Sequence, residues 1–186
     1  MIRNTREAIS NALAHAYLGA TNTANFADYG CRIDRSSGNA SYIMANAVQM
    51  AKIRAAVNSQ PDKIAAWLNL CYGPDVQAMN KASKQAYIAA TVTKEAFNGH
   101  HNPKVAGRLQ TIAWLAVEDY RIGVLMQKEL PVASYLEALG YSGSQWARDY
   151  EPRRREALMV LNGYDSSGVG NVSIVVREIC KSEEES

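Results

Sequence analysis

Residues 131–155 read PVASYLEALGYSGSQWARDYEPRRR, and this stretch decides how the chain is understood. Val132, Tyr135, Leu136 and Leu139 recur at helical spacing, so the sequence predicts a short amphipathic helix opened by Pro131. Gly140 follows where a helix C-terminus calls for a positive φ. Ser142, Gly143 and Ser144 then place a hydroxyl at an N-cap position, and a second helix carries Gln145, Trp146 and Arg148 on different faces. Helix, glycine turn, helix is the layout of a helix-turn-helix. In that layout the first helix packs, while the second offers its N-terminal turn to base edges, where arginine matches guanine and glutamine matches adenine. The sequence therefore nominates Gln145 and Arg148 for base contacts and Ser142 and Ser144 for phosphate contact. It nominates Arg153, Arg154 and Arg155 to neutralise phosphates. A purely structural hairpin is the competing reading. Under it, an arginine of the cluster pairs with Glu151 or Glu156 at i,i+3 or i,i+4 spacing. Trp146 is expected to anchor a core rather than to stack on a base.

Outward from this hairpin, the chain reads as helices. Alanine occurs 28 times, and it has the highest helix propensity because it loses no side-chain entropy. Asn4 or Thr5 caps a first helix to about residue 18, with Ile9, Leu13 and Tyr17 on one face. A polar connection over 19–39 precedes a second helix over 40–59. Pro61 opens a third that ends at Tyr72 before Gly73 and Pro74 break the chain. A fourth covers 75–97. The clearest internal boundary is Asn98-Gly99-His100-His101-Asn102-Pro103, which divides an N-terminal helical region (1–100) from a C-terminal one (103–186). From Pro103 a long helix runs to about Leu130, with Leu109, Ile112, Ala113, Ala116, Val117 and Tyr120 at spacings of three and four. Beyond the hairpin, Pro152 separates two helical segments, Gly163 ends the second, and Ser166 or Ser167 caps a last helix to about Cys180. The expected fold is all-α: a multi-helix domain with a helix-turn-helix-like hairpin in its C-terminal third.

The 186 residues carry a net charge of +2 and a mean hydropathy of −0.25. No apolar run approaches a membrane span, and no signal peptide is visible, so a cytoplasmic protein is expected with no membrane partner. The even total hides a gradient. Residues 1–108 hold 12 Lys/Arg against 6 Asp/Glu, whereas 109–186 hold 8 against 12. Cys31, Cys71 and Cys180 give neither a disulfide framework nor a CxxC half-site. His100 and His101 lie in a loop with no acidic neighbour, Glu118 and Asp119 point to different sides of a helix, and no phosphate-binding glycine motif occurs. No enzyme activity, metal or cofactor is expected.

The C-terminal part, about 103–180, resembles the lambda-type late-gene antitermination protein Q family of lambdoid phages. The resemblance rests on Ala113, Ala116 and Asp119-Tyr120 of the long helix, then Pro131, Ala133 and Tyr135. Trp146-Ala147-Arg148 follows with Pro152 four residues later, and then Asn171 and Val172. The best-known member carries two CxxC pairs between the long helix and the tryptophan segment; here Leu130-Pro131 closes that junction without a cysteine. The resemblance implies a zinc-free version of such a protein. It also implies binding to a late-promoter DNA element and engagement of paused RNA polymerase at the flap and sigma region 4. NusA assists, nascent RNA lies nearby, and pausing and termination are suppressed in the host cytoplasm. On this reading residues 1–100 supply the polymerase- and RNA-facing body. Two other functions fit the residues: a helix-turn-helix regulator that never touches polymerase, and a helical phage accessory protein that binds a host protein. DNA binding separates both DNA-dependent readings from the third, and read-through of a terminator separates the first from the second.

Overall fold

The computed structural model describes residues 4–20, 37–74, 78–98 and 103–184. The helices are α1 (Thr5–Ala20), α2 (Ser37–Asn58), α3 (Asp62–Tyr72), α4 (Ala78–Ala96), α5 (Pro103–Met126), α6 (Val132–Leu139), α7 (Gly143–Gln145) and α8 (Glu151–Glu184). A π-helical turn, Trp146–Tyr150, joins α7 to α8. No strand occurs among the described residues, and the all-α expectation holds. Cys31, His100, His101 and most of the polar connection over 19–39 lie outside the described residues.

The chain forms two compact units, Met1–Val76 with Ser167–Ser186, and Gln77–Ser166. The first unit is built on α1, α2, α3 and the end of α8. Asn4 caps α1: its Oδ1 accepts the Arg6 N–H at 3.0 Å. Ala8, Ile9 and Ala12 of α1, Ile53 and Val57 of α2, Trp67 and Leu68 of α3, and Val172 of α8 are almost fully buried. Their spacings of three and four put each helix's apolar stripe on a shared core. Gly168 of α8 sits against α3, where a Cβ would lie 2.8 Å from Ile64 Cγ2 and 3.0 Å from Leu68 Cδ1. A glycine here lets the two helices approach closely. The second unit packs α4 against α5, with Ile88, Ala89 and Val92 of α4 and Ile112, Ala113, Ala116 and Val117 of α5 buried. Ala157 and Leu161 of α8 belong to the same core.

Two helix boundaries differ from the sequence reading. The long helix α5 ends at Met126, four residues before Leu130, because the chain turns back on itself there. Gln127 takes a positive φ of 54°, unusual for a residue with a side chain, and the Leu130 N–H donates to Asp119 Oδ1 at 2.6 Å. A carboxylate one helical face away thus captures a backbone donor that further helix would have used.

The second difference is larger. Residues 151–184 form one helix, where the sequence predicts two segments broken at Gly163 and recapped at Ser166 or Ser167. Glycine costs about 1 kcal/mol relative to alanine inside a helix, which tertiary burial readily offsets. Leu161, Tyr164, Gly168, Val172, Val176 and Ile179 carry a buried stripe straight through the glycines. Pro152 occupies the first turn of α8, where a missing N–H is tolerated. The residues before it relax into the π turn, in which the Glu151 N–H reaches the Trp146 carbonyl. Widening the helix just ahead of a proline relieves the clash of its ring with the preceding turn.

Candidate nucleic-acid interface

The local chemistry of 131–155 produces the predicted layout of helix, turn and helix. Gly140 has φ 69° and ψ 36°, and its N–H and that of Tyr141 both reach the Leu136 carbonyl, at 2.8 and 3.2 Å. That left-handed cap ends α6, and only glycine adopts it without strain. Ser142 is extended and caps α7. Its N–H donates to Gln145 Oε1 at 3.4 Å, and its hydroxyl lies 3.3 Å from the same atom and 3.2 Å from the Ser144 hydroxyl. Ser142, Gly143, Ser144 and Gln145 are all exposed. This is a capping box, so Gln145, nominated as a base reader, also closes the helix start.

A buried cluster anchors this exposed turn. Asp119 of α5, at the heart of it, accepts from the Tyr135 hydroxyl at 3.0 Å and from Arg154 Nε and Nη2 at 2.9 and 2.7 Å, besides the Leu130 N–H. Arg154 also lies over the Tyr135 ring at 5.5 Å, and the Trp146 ring packs on the same tyrosine at 4.9 Å. One carboxylate therefore ties together α5, the loop after it, α6 and α8, and the π turn rests on the tyrosine so held. Burial pushes the Tyr135 hydroxyl well above its ordinary range, and the Asp119 charge pushes in the same direction. Burial opposes the charge on Arg154. The hydrogen bonds and charge of Asp119 outweigh it and keep the guanidinium above its ordinary value.

The four arginines nominated for DNA thus have different surroundings. Arg154 has only 11% of its side chain exposed and faces inward onto Asp119, a structural place rather than one on a phosphate. The i,i+4 and i,i+3 spacings predicted pairs, and they form. Arg153 Nη1 donates to Glu156 Oε2 at 2.8 Å, and Arg155 Nε to Glu151 Oε1 at 3.1 Å. Arg148 grips its neighbour Asp149 with two bonds of 2.7 and 2.8 Å while 75% of its side chain stays in solvent. Solvent screens an exposed pair of this kind, so it yields to a better partner. The hydrogen bond to Arg148 holds the Asp149 carboxyl below its ordinary value. Trp146 is buried, as a core anchor should be.

Sequence reasoning missed Asp119 as an anchor because its partners lie 11 to 35 positions away. The one signal for it was that Asp119, Tyr135 and Trp146 all belong to the motif that carries the family resemblance. Among the described residues no group of three or more His, Cys, Asp or Glu is placed to hold a metal ion, and no helix is long and apolar enough to cross a membrane.

These features define an all-α protein whose glycine-capped hairpin is pinned to a long helix by a buried Asp–Arg–Tyr cluster. The family model for phage antitermination protein Q matches residues 30–185, across parts of both units, and the chain belongs to that family. Membership points to a function in phage antitermination, in a family that works by regulation and engages DNA and RNA polymerase. No curated protein and no solved structure matches the chain.

Proposed function

We propose that this chain is a late-gene antitermination factor that binds promoter DNA through its C-terminal hairpin and then travels with RNA polymerase. The observation that carries the reading is the family match over 30–185, which favours antitermination over a plain DNA-binding regulator or an accessory protein. The hairpin suits the DNA-binding part. Ser142, Ser144, Gln145 and Arg148 stand in solvent on a turn fixed from below by Asp119, Tyr135 and Trp146. Contacts made from a rigid element lose little conformational entropy on binding. Arg148 and Gln145 would meet base edges, Ser142 and Ser144 a phosphate, and Arg153 and Arg155 flanking phosphates. Arg154 acts indirectly, as a positioning residue.

The remaining helices would supply the body that engages the polymerase flap and sigma region 4 in the host cytoplasm, beside the emerging RNA and with NusA assisting. The junction between α5 and α6 is only residues 127–131 and holds no cysteine, so the function is carried without a zinc module at that place. Titrating the protein into a labelled late-promoter duplex over a salt series tests the DNA step. Binding should weaken steeply with salt, and Arg148→Ala should cost about 1–3 kcal/mol on that duplex and much less on an unrelated one. An equal loss on both duplexes would deny Arg148 a base-reading role.

A further inference from the structure

The arginines around the hairpin share a property that matters for binding an anion: Arg148, Arg153, Arg154 and Arg155 each sit against at least one carboxylate. Their charges are locally cancelled. Arg108, exposed on α5, differs. Among the described residues it has no carboxylate partner, and it is held instead by two tyrosines. Its guanidinium lies over the Tyr141 ring at 4.8 Å, and its Nη1 is 3.4 Å from the Tyr150 hydroxyl. Tyr141 and Tyr150 stack on each other, 5.1 Å between centroids and 26° between planes. The three residues come from α5, from the turn after Gly140, and from the π turn, so the cluster flanks segment 142–149, which is exposed except for Trp146.

We infer that Arg108, preset by Tyr141 and Tyr150, is a phosphate-binding residue for duplex DNA docked on the hairpin. The inference rests on the DNA-binding reading above and adds to it a residue outside 131–155. The physical argument has three parts. A guanidinium stacked on a ring still presents the N–H groups at its edge, of which only Nη1 has a partner among the described residues, the Tyr150 hydroxyl at 3.4 Å, and edge N–H groups are the ones that grip a phosphate in a fork. The stack also holds a long side chain in one place, so less rotamer entropy is lost when the phosphate arrives. Finally, an uncancelled positive charge draws a polyanion more strongly than one already facing a carboxylate.

The test uses the full chain and a labelled mixed-sequence duplex, because a phosphate contact carries no sequence information. Each neutralised phosphate adds about 0.9 to the slope of log affinity against log salt. Arg108→Ala should therefore lower that slope by about 0.9 and weaken low-salt binding roughly tenfold. Tyr141→Leu keeps the charge but removes its platform; it should leave the slope in place and weaken binding about threefold, through the lost preorganisation. Circular dichroism and melting show whether each variant is folded. If Arg108→Ala is not, Arg108→Gln, which keeps the stem of the side chain, takes its place with the same expectation. Wild-type slope and affinity in a folded Arg108 variant would overturn the inference while leaving the DNA-binding reading intact. A wild-type chain that binds neither this duplex nor promoter DNA would instead overturn that reading, and the inference with it.

Discussion

Asp119 is a small residue with a large share of the architecture. Its two oxygens accept from a backbone N–H, a phenol and a guanidinium, and it is itself 3% exposed. Removing Asp119 leaves the Arg154 guanidinium buried with only its longer contacts to Glu151 at 3.4 Å and Glu129 at 3.8 Å, and breaking a buried ion pair costs about 3–5 kcal/mol. Asp119→Ala should therefore lower the unfolding free energy measured by urea denaturation by an amount in that range. Replacing Asp119 and Arg154 together by Leu and Met should recover most of the loss, since apolar side chains of similar volume often stand in for a buried pair without penalty. If the double variant were no more stable than Asp119→Ala, the cost would lie outside the ion pair. The sequence made the residue types visible but not this division of labour. Arg153, Arg154 and Arg155 are chemically identical neighbours, and only the helical phase of α8 turns the middle one inward.

The elements show how local preference and packing compete. Gly140 ends α6 where the sequence predicts it, because a positive φ leaves few alternatives to glycine. Gly163 is expected by the same logic to end a helix, yet α8 passes through it, as it does through Gly168 and Gly170. At Gly140 the backbone conformation itself requires glycine, whereas inside α8 glycine is only a modest penalty that burial overrides. The apolar stripe of α8 was in the sequence all along; what was not legible was that α3 and the second unit's core would each claim a length of it. A paired substitution separates the two kinds of glycine within the helix. Gly163 has open space where a Cβ would go, so Gly163→Ala should raise stability by about 0.5–1 kcal/mol. Gly168→Ala should instead cost about 1–2 kcal/mol, because the new methyl meets Ile64 and Leu68 at 2.8–3.1 Å. Equal gains at both positions in chemical denaturation would mean that α3 and α8 are not packed as described.

At the scale of the whole molecule, the sequence pattern discloses the helical class, most helix starts and the order of helix, glycine turn and helix over 131–155. The family resemblance is legible only over about 103–180, while the family match spans 30–185. The N-terminal helices are rich in alanine and poor in distinctive turn or charge motifs, so their periodicity announces helix without announcing kinship. The compact units explain part of this difficulty. The first unit takes Ser167–Ser186 from the far end of the chain, so no local stretch of sequence contains its whole core. The central claim is that this chain lets RNA polymerase pass terminators, and one measurement meets it directly. Purified protein is added to polymerase transcribing from the phage late promoter through a downstream intrinsic terminator, with a template bearing an unrelated promoter as control. The account predicts a marked rise in full-length transcript on the first template and little change on the second, with Arg148→Ala reducing the rise. Unchanged termination on the late-promoter template, with the protein present above the concentration at which it binds that DNA, would contradict it.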